Sequence, residues 1–413
     1  KTYTLIGKNE KEMGKMTERE LQQYFDEAKV SISSNGIMYR TDKQGLIPAL
    51  LEKWFNERVE MRKLVKKYHE QGDKEKEEYF DRRQHIQKIV LNSLYGVLGL
   101  PVFRFYDLDN AEATTLTVQQ LIKFSKKITN HFYNNELGTN EDYVIYIDTD
   151  SIFASAVPLV EKRFPNQELS ETMMTQRIME ICAEVQDYLN KSYNYFGKKF
   201  CNVDKHVFDI KQEVIAKTGL FITKKRYAVL YYDVEGNRTD TEGKEGKMKA
   251  MGLDLKRSDT PVFVQDFLSE ILYMVLTGKN EQEVLEHITT FRAQFKSRPG
   301  WEKGSPKRAN NMTKYTAAEE KQGKANMPGH VRASMNWNKC REMYGDKYSM
   351  PITDGAKVIV CKLKSNPLGY TSIAYPVDEM RIPEWFKELP FDSEAMESTI
   401  LDQKIDNLIG VLD

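Results

Sequence analysis

The stretch YVIYIDTDSIFAS, from Tyr143 to Ser155, predicts two short apolar strands joined by an acidic turn. Asp148 and Asp150 lie on either side of Thr149, and this period of two lets both carboxylates project from one side of the strand end. At about 4 Å in a partly shielded site, their repulsion is on the order of 4 kcal/mol. We therefore expect a positive group beside the turn that offsets this repulsion.

Magnesium fits that expectation, because Mg²⁺ usually binds one or two carboxylates together with phosphate oxygens and waters. Two ions about 4 Å apart can hold both ends of an in-line phosphoryl displacement. One alternative is an ordinary solvated turn, in which aspartate is common. Another is a structural calcium site, although few oxygen ligands surround the turn. The Asp-Thr-Asp pattern alone does not decide between these interpretations.

Length and composition narrow the class of the protein. A chain of 413 residues is long enough for two or three subdomains. Its 61 basic and 61 acidic residues balance, so only local charge is informative. The four cysteines form no C-x-x-C pair, which argues against a zinc knuckle or a disulfide framework and favours the reducing cytoplasm. No apolar run approaches the roughly 20 residues that span a membrane.

Residues 48–100 predict two antiparallel helices joined by a short turn. Pro48 suits the first turn of a helix whose apolar face continues to about Tyr68. Gly72 can end this helix, and Asp73 can cap the next one. We expect the inner side of the second helix to consist of Phe80, Ile86, Ile89, Val90 and Leu94.

The same two helices carry cations at helical spacing. Arg58 and Arg62 are four residues apart, about 6 Å along the helix axis, and Lys88, Asn92 and Tyr95 follow at i, i+4 and i+7. Three cations that converge from two helices would hold a triphosphate and stabilise the charge that develops in phosphoryl transfer. Tyr95 would lie against a base or its sugar. The alternative is two ordinary solvated helix faces.

The run NSLYGVLG, from Asn92 to Gly99, favours the first of these interpretations. Gly96 and Gly99 permit close approach of the backbone to a ligand. Gly96 is equally a candidate for the C-cap of the helix.

Farther along the chain, basic and acidic residues are segregated. Lys224, Lys225 and Arg226 precede a β-rich run, and the segment KMKAMGLDLKRSDTP follows with four more basic residues. Residues Arg292–Arg341 include twelve Lys or Arg against three acidic residues, whereas ten acidic residues face three basic ones from Asp378 onward. This pattern is typical of a surface that binds a phosphate backbone. A generally basic surface is the alternative.

The remaining pattern alternates helices with hairpins. SISSNGIMYRTDK predicts a hairpin around Asn35-Gly36, and a helix covers about residues 170–195. Strands are expected in FDIKQEVIA, KKRYAVLYYDV, AKVIVCKL and TSIAYP, with an acidic helical tail after them. A helix from Asn110 is expected to have an apolar face of Val118, Leu121, Phe124, Ile128 and Phe132, with Ile122 at the edge of that face. This alternation indicates an α+β fold with an antiparallel sheet.

The order of three motifs is similar to that of family B DNA polymerases, and most of all to the replicative polymerases of T-even-type phages. The motifs are KIVLNSLYG (Lys88–Gly96), YIDTDS (Tyr146–Ser151) and KKRY (Lys224–Tyr227). Three motifs in a fixed order are far more specific than any one of them. The likeness is firm from about residue 30 to 260 and continues into NNMTKY, MPGHVRAS and NPLGYTSIAYP.

The resemblance implies roles for the residues of the acidic turn and the helices. Asp150 would be a direct ligand of two Mg²⁺ ions, for which Mn²⁺ would substitute, and Asp148 would lie beside them. The incoming deoxynucleotide would be held through its phosphates by Arg58, Arg62 and Lys88. Asn92 and Tyr95 would line the pocket of the nascent base pair. Asp148, Asp150 and Lys88 would form the catalytic set.

The resemblance also implies a DNA-binding set. Lys225 and Tyr227 would touch the primer strand near its end, and Glu213 would lie just outside the metal shell. The other members of the set would be Lys224, Arg226 and Lys249. The stretch Arg292–Arg341 would grip duplex product.

A right-hand polymerase architecture follows from the resemblance. Residues 1–47 would form the edge of an N-terminally truncated palm, 48–100 the helical-hairpin fingers, 101–257 the palm and 258–413 a mostly helical thumb. The partners would be primer–template DNA and deoxynucleotides, in the cytoplasm of the host cell for a phage gene. A sliding clamp is a further candidate partner, although the end IDNLIGVLD contains no recognisable clamp-binding tail.

One departure from the family pattern affects the expected function. The first catalytic motif, D-x-x-S-L-Y-P-S, which supplies another metal-binding Asp and the Tyr that excludes ribose 2′-hydroxyls, is absent, and so is the 3′–5′ exonuclease. Because the chain opens KTYTLIGKNEKE, we expect a C-terminal portion of a polymerase: a shortened form, a proteolytic fragment or the second subunit of a split enzyme. It would need an N-terminal fragment that carries the missing Asp. A non-catalytic DNA-binding subunit is the alternative function.

Overall fold

The computed structural model describes residues 2–6, 12–165, 167–240, 245–315 and 327–410. Helices hold 54% of the residues, and each sheet formed by the described residues is small and antiparallel, so the predicted α+β class is confirmed. The chain divides into two compact units, Lys1–Gln212 and Glu213–Asp413. Within the described ranges, no helix combines the length and the apolar character that crossing a bilayer requires.

The first unit combines long helices with short antiparallel hairpins, each made of consecutive strands. Its strands are β1 (Thr2–Ile6), β2 (Glu12–Thr17), β3 (Val30–Ile32), β4 (Met38–Arg40), β5 (Val144–Asp148) and β6 (Ser151–Ala154). Its helices are α1 (Glu18–Ala28), α2 (Leu46–Glu70), α3 (Lys74–Leu98), α4 (Leu108–Leu137), α5 (Val157–Arg163) and α6 (Glu171–Cys201). The β3–β4 hairpin confirms the one predicted around Asn35-Gly36.

The predicted pair of antiparallel helices is present as α2 and α3. Gly72 follows α2 with a left-handed φ of 71°, and the side chain of Asp73 accepts a hydrogen bond of 3.2 Å from the Lys76 amide at the start of α3. The Tyr68 and Phe80 rings stack near the turn with their centroids 5.6 Å apart. The turn and cap residues therefore act as the sequence predicts.

The side of α3 that is half-buried differs from the prediction. Three residues expected inside are 36–59% exposed: Ile86, Ile89 and Val90. The half-buried row is Phe80, Gln84, Gln87, Leu91 and Leu94. Gln84 accepts a hydrogen bond of 3.3 Å from Arg58 Nε, and Gln87 donates one of 3.4 Å to the Trp54 carbonyl. The prediction is thus right for Phe80 and Leu94 and wrong for the other three, because two glutamines contribute to the contact between the helices.

The buried face of α4 is likewise displaced from the expected one. The predicted apolar row is only half-buried, and the buried residues are Ala113, Ile122, Ser125, Thr129 and Tyr133. Ser125 donates to the Leu121 carbonyl, and its hydroxyl lies 2.8 Å from the Tyr193 hydroxyl of α6. A small side chain whose hydroxyl is satisfied locally lets two helices approach closely, and a search for apolar periodicity does not detect it.

Helix α4 also connects the other parts of the first unit. Near its start, Asn110 accepts a hydrogen bond of 2.8 Å from the Tyr39 hydroxyl of β4. Near its end, Asn130 accepts one of 2.9 Å from the Tyr143 amide, just before β5. The β3–β4 hairpin and the acidic hairpin are thus both attached to one straight element.

Arg163, the last residue of α5, joins three helices of the first unit. Its guanidinium forms two hydrogen bonds of 2.6 and 2.8 Å to Glu136 of α4 and two of 2.8 Å to Glu184 of α6. The hydrogen bonds to Glu136, and to a smaller extent those to Glu184, raise the pKa of Arg163 far above its usual range. The arginine closes one side of an apolar core that contains Tyr133, Leu159, Val160 and Ile181.

The second unit contains two sheets and the remaining helices. One sheet has the order β10 (Lys247–Met251), β8 (Arg226–Val234), β7 (Val214–Thr223), with β9 (Asn237–Arg238) beside β8. The other has the order β11 (Ser305–Ala309), β12 (Ala356–Lys362), β13 (Ser372–Pro376). The helices are α7 (Val262–Leu276), α8 (Glu281–Ser297), α9 (Gly329–Met343), α10 (Glu384–Lys387), α11 (Ser393–Glu397) and α12 (Gln403–Ile409).

Each sheet of the second unit packs on helices over its own core. Ala228, Leu230 and Tyr232 of β8 face Phe267 and Leu268 of α7. In the other core, Trp337 of α9 is fully buried beside β12 and β13, and its indole donates a hydrogen bond of 2.9 Å to the Met350 carbonyl. The strands predicted in KKRYAVLYYDV, AKVIVCKL and TSIAYP are confirmed, while the strand in FDIKQEVIA begins only at Val214.

The substitution Arg163→Met is expected to lower the free energy of unfolding by about 2 kcal/mol, because it leaves the half-buried Glu136 and the exposed Glu184 without their charge-assisted hydrogen bonds. Urea denaturation followed by circular dichroism measures the change. Arg82→Met is the control, since Arg82 and its partner Glu78 are both mostly exposed, and it should cost no more than about 0.5 kcal/mol. Equal losses for the two variants would contradict the role assigned to Arg163.

Candidate active site

The acidic turn joins β5 and β6 in the tightest way available to a hairpin. Asp148 is paired with Ser151, so Thr149 and Asp150 form a two-residue loop. The Asp150 amide donates a hydrogen bond of 2.6 Å to the Asp148 carbonyl, and Thr149 between them has a φ of 50°. A γ-turn with a positive φ is rare and strained, and a β-branched residue adopts it least readily. Such strain is common where a turn presents functional groups.

The two carboxylates of this turn differ in exposure and remain open to a ligand. Asp148 is half-buried and Asp150 is exposed. Oδ1 of Asp148 accepts a hydrogen bond of 3.1 Å from the Thr149 hydroxyl. Neither carboxylate takes part in an ion pair with another described residue. The positive partner that the sequence predicts for the turn is thus not a side chain in the part of the chain that the structure describes.

Mg²⁺ fits this donor set. Two unpaired carboxylates supply hard oxygen ligands, and Mg²⁺ completes its shell with phosphate oxygens and waters. Among the described residues, no three His, Cys, Asp or Glu side chains lie close enough together to bind one ion. Ca²⁺ needs six to eight oxygens, so the calcium alternative has no support in this part of the chain.

The base of the acidic hairpin is fixed to α4 by asparagine side chains. Asn134 donates to the Glu141 carbonyl at 3.0 Å, and Asn130 accepts from the Tyr143 amide at 2.9 Å. Glu141 is thus bonded to residue 134 of α4, whereas Tyr143, two residues later, is bonded to residue 130, which is nearer the start of α4. Strand β5 therefore starts back toward the N-terminal end of α4.

The predicted cations belong to both helices of the α2–α3 pair, Arg58 and Arg62 to α2 and Lys88 to α3. Arg58 is half-buried. Its burial, and to a smaller extent the positive charge of Arg62, lowers the pKa of its guanidinium. Its hydrogen-bond partner Gln84 precedes Lys88 by one helical turn, about 6 Å along the axis. Lys88 therefore lies one helical turn from the residue that contacts Arg58. Sequence analysis missed Gln84, because its role depends on a contact between helices that no local pattern reveals.

The end of α3 is open on the side of the predicted nucleotide pocket. Asn92 and Tyr95 are exposed, and nothing lies within 4 Å of the position that a Cβ at Gly96 would occupy. The helix continues through Gly96 and ends at Leu98, with Gly99 as its C-cap, so the alternative that Gly96 is the C-cap is wrong.

The C-terminal end of α3 is attached to the beginning of α4. The Asp107 amide donates a hydrogen bond of 3.0 Å to the Leu98 carbonyl, and the Asp107 carboxylate accepts one of 3.2 Å from the Asn110 amide. The last turns of α3, which carry Asn92 and Tyr95, therefore reach the N-terminal end of α4.

The predicted DNA-binding residues belong to the second unit. Lys224 and Lys225 form the exposed two-residue turn between β7 and β8. Arg226 donates a hydrogen bond of 3.2 Å to the Asn407 carbonyl of α12. Tyr227 is only 6% exposed and stacks on Phe221 with the ring centroids 5.7 Å apart. Lys224 and Lys225 are thus the exposed residues of this motif, whereas Arg226 is half-buried and Tyr227 is buried.

The other members of the predicted set are more dispersed. Lys249 of β10 lies with its Nζ 5.7 Å from the centroid of the Tyr231 ring. Glu213 is exposed just before β7, and its carbonyl accepts a hydrogen bond of 2.8 Å from the Glu235 amide. The basic stretch Arg292–Arg341 includes residues 316–326, which lie outside the described ranges.

Comparison with known proteins shows which family these features represent. A sequence profile described as DNA polymerase family B matches residues 2–323. The chain is 27% identical over 405 residues to the DNA-directed DNA polymerase of Escherichia phage RB69, covering 84% of this chain and 44% of the relative. It is 31% identical over 312 residues to that of Enterobacteria phage T4, covering 70% and 32%.

More distant relatives extend the comparison beyond phages. The chain is 26% identical over 253 residues to DNA polymerase 1 of Pyrococcus abyssi, covering 61% of this chain and 27% of the relative. The chain thus spans less than half of the length of the relatives named here. Since the family profile covers most of the sequence, the chain belongs to DNA polymerase family B.

Proposed function

We propose that the chain is the C-terminal part of a template-directed DNA polymerase that adds deoxynucleotides to the 3′ end of a primer. The observation that carries this proposal is the pair of carboxylates at the β5–β6 turn, which form no ion pair with another described residue and belong to the same unit as the cations of α2 and α3. Charges of opposite sign on separate elements suit a ligand that is itself both anionic and metal-bound.

The course of the chain within the first unit supports a single site. The two contacts that precede β5 move from Asn134 to Asn130, which is toward the end of α4 that α3 reaches. An extended strand from Tyr143 to Asp148 has a length of about 17 Å, and Asn130 and Asn110 are about 30 Å apart along α4. We therefore propose that the acidic turn faces the last turns of α3 across the N-terminal part of α4.

Each group in this arrangement has a defined task in the proposed reaction. Lys88, Arg58 and Arg62 neutralise the triphosphate, and the cations reach it when the α2–α3 pair closes on the bound nucleotide. Asp148 and Asp150 would hold two Mg²⁺ ions, or Mn²⁺ in their place. When bound, these ions lower the pKa of the primer hydroxyl and neutralise the leaving pyrophosphate.

The pocket for the base pair and the grip on DNA come from other residues. Asn92 and Tyr95, with the open space at Gly96, accept the nascent base pair. Lys224 and Lys225 would bind the phosphates of the primer strand, which makes binding largely independent of sequence. Arg226, Tyr227, Lys249 and Glu213 would surround and support that contact. The stretch Arg292–Arg341 would hold duplex product.

We further propose the right-hand arrangement of the family for the whole enzyme. In it, residues 48–100 are the fingers, 1–47 and 101–257 belong to the palm, and 258–413 form the thumb. A third carboxylate would come from an N-terminal polymerase fragment that also carries the exonuclease, in keeping with the greater length of the phage relatives. Replication in the host cytoplasm and contact with a sliding clamp belong to the same proposal.

The substitution Asp150→Ala is expected to reduce primer extension by about a thousandfold or more, because it removes an anionic group on which charge stabilisation in the transition state depends. The assay combines this chain with the N-terminal fragment, primer–template DNA and Mg²⁺. Glu141→Gln is the matched control, since Glu141 is an exposed acid at the base of the same hairpin, and it should retain the rate of the unchanged chain.

Unchanged extension by the Asp150→Ala chain would exclude the proposed catalytic role of the turn. Salt-dependent binding of duplex without any extension by the unchanged chain, even with the N-terminal fragment present, would favour the non-catalytic DNA-binding subunit instead.

The substitution Lys88→Ala is expected to raise the KM for deoxynucleotide by about ten- to a hundredfold, the loss of one charge-assisted contact to phosphate. Steady-state primer extension at varied nucleotide concentration measures it. Lys53→Ala is the control, because Lys53 is an exposed lysine of α2 whose Nζ lies 4.0 Å from Glu57 Oε1 and which has no role in the proposed site. A similar KM for the Lys88→Ala chain and the unchanged chain would remove Lys88 from the nucleotide site.

A further inference from the structure

The backbone of Gly252 packs directly against the turn that carries Lys224 and Lys225. Strand β10 pairs with β8 so that Met251 is opposite Tyr227, and the next residue, Gly252, comes level with Arg226, where the turn ends. A Cβ at Gly252 would lie 1.9 Å from the Lys225 carbonyl oxygen and 3.3 Å from Arg226 Cγ. No side chain fits there, since real Cβ atoms do not approach other heavy atoms that closely.

The conformations of both partners at this contact are unusual. Gly252 has a φ of 65°, which only glycine adopts readily. Lys225 has a φ of 63° at the second position of the two-residue turn, although it carries a side chain. A left-handed lysine costs free energy, so surrounding contacts must hold it in place.

The surroundings decide which partner would move if the contact were crowded. On one side of Gly252, β10 is fixed by its ladder with β8, and on the other side the next residue, Leu253, is buried in the core. Asp254 then forms ion pairs with Arg257 at 3.3 Å and Lys404 at 3.6 Å. The lysine turn is exposed, so it is the part that would be displaced.

We propose that Gly252 is a positioning residue of the nucleic-acid site. By leaving room for the Lys225 carbonyl, it fixes the direction in which Lys224 and Lys225 leave the sheet, and hence their contact with the phosphates of a bound DNA strand. The bond from Arg226 to the Asn407 carbonyl holds the other side of the same turn. This inference rests on the proposed function, in which the two lysines bind DNA.

The test compares Gly252→Ala with two control variants of the second unit. Gly246→Ala would place a Cβ 2.6 Å from the Tyr231 carbonyl oxygen, a similar clash with β8 at the far end of β10, where φ is 107°. Gly236→Ala has a positive φ of 86° but nothing within 4 Å. Gly246→Ala tests whether a clash elsewhere on the same strand has the same effect. Gly236→Ala tests whether alanine at a positive φ has the effect without a clash.

Binding of primer–template DNA is measured by fluorescence anisotropy at several salt concentrations, with the full chain and the N-terminal fragment. Gly252→Ala should reduce the slope of log affinity against log salt by about one to two, because each lost lysine–phosphate contact releases about one counterion fewer. Both controls should keep the original slope. Adding Gly252→Ala to a Lys224→Ala, Lys225→Ala chain should cause no further loss, since the glycine acts through those lysines.

Amide hydrogen exchange separates failure of this inference from failure of the proposed function. The Arg226 amide belongs to the residue that pairs with Thr223 at the end of the hairpin. Its exchange should become at least about tenfold faster in Gly252→Ala, and not in either control, because a displaced turn opens locally. If Lys224→Ala and Lys225→Ala leave the salt slope unchanged while this exchange still rises, the DNA-binding assignment is wrong and the positioning is right.

Three results would overturn the inference. They are an unchanged salt slope in Gly252→Ala when the lysine variants reduce it, an equal reduction in Gly246→Ala, and a Gly252→Ala chain that loses its fold. In the last case the contact would support the whole sheet, and exchange at Val229, in the middle of β8, would rise together with exchange at Arg226.

Discussion

Two carboxylates at neighbouring positions of a tight turn repel each other, and the first unit does not relieve this repulsion with a cationic side chain among its described residues. The backbone adds to the cost, because Thr149 adopts a positive φ within the turn. A fold keeps such an arrangement when a ligand offsets it. The cations that could balance these acids lie on α2 and α3 instead. A triphosphate with its metal ions would satisfy both sets, since it is bound through carboxylates and through cations at once.

Helix α4 is attached both to the hairpin that carries the acids and to the helix that carries Lys88. Its asparagines hold the base of the acidic hairpin at one end, and the link through Asp107 holds the end of α3 at the other. Arg163 braces the same helix against α5 and α6. Because these hydrogen bonds hold the base of the hairpin on α4, the short acidic loop is carried by a supported pair of strands. In the second unit, the exposed lysine turn depends in a similar way on a neighbouring backbone, at Gly252.

Features that depend on local chemistry could be predicted from the sequence. Gly72 and Asp73 end one helix and cap the next, because turns and caps are determined by a few adjacent residues. The motifs also predicted the family. Contacts between elements could not be predicted from the sequence: α3 pairs with α2 through glutamines, and α4 contacts α6 at Ser125. No local pattern reports that Thr149 is strained or that Gly252 touches Lys225, since both depend on how strands meet.

The central claim is that the acidic turn and the cationic helices act on one bound nucleotide. Iron-mediated cleavage tests it directly: Fe²⁺ replaces Mg²⁺ in a complex of this chain, the N-terminal fragment, primer–template DNA and a non-reacting nucleotide, and peroxide is added. The account predicts backbone cuts beside Asp148 and Asp150 and also in α3 near Lys88, with both lost when Asp150 is replaced by alanine. Cuts at the turn alone, with α3 intact while the nucleotide is bound, would contradict it.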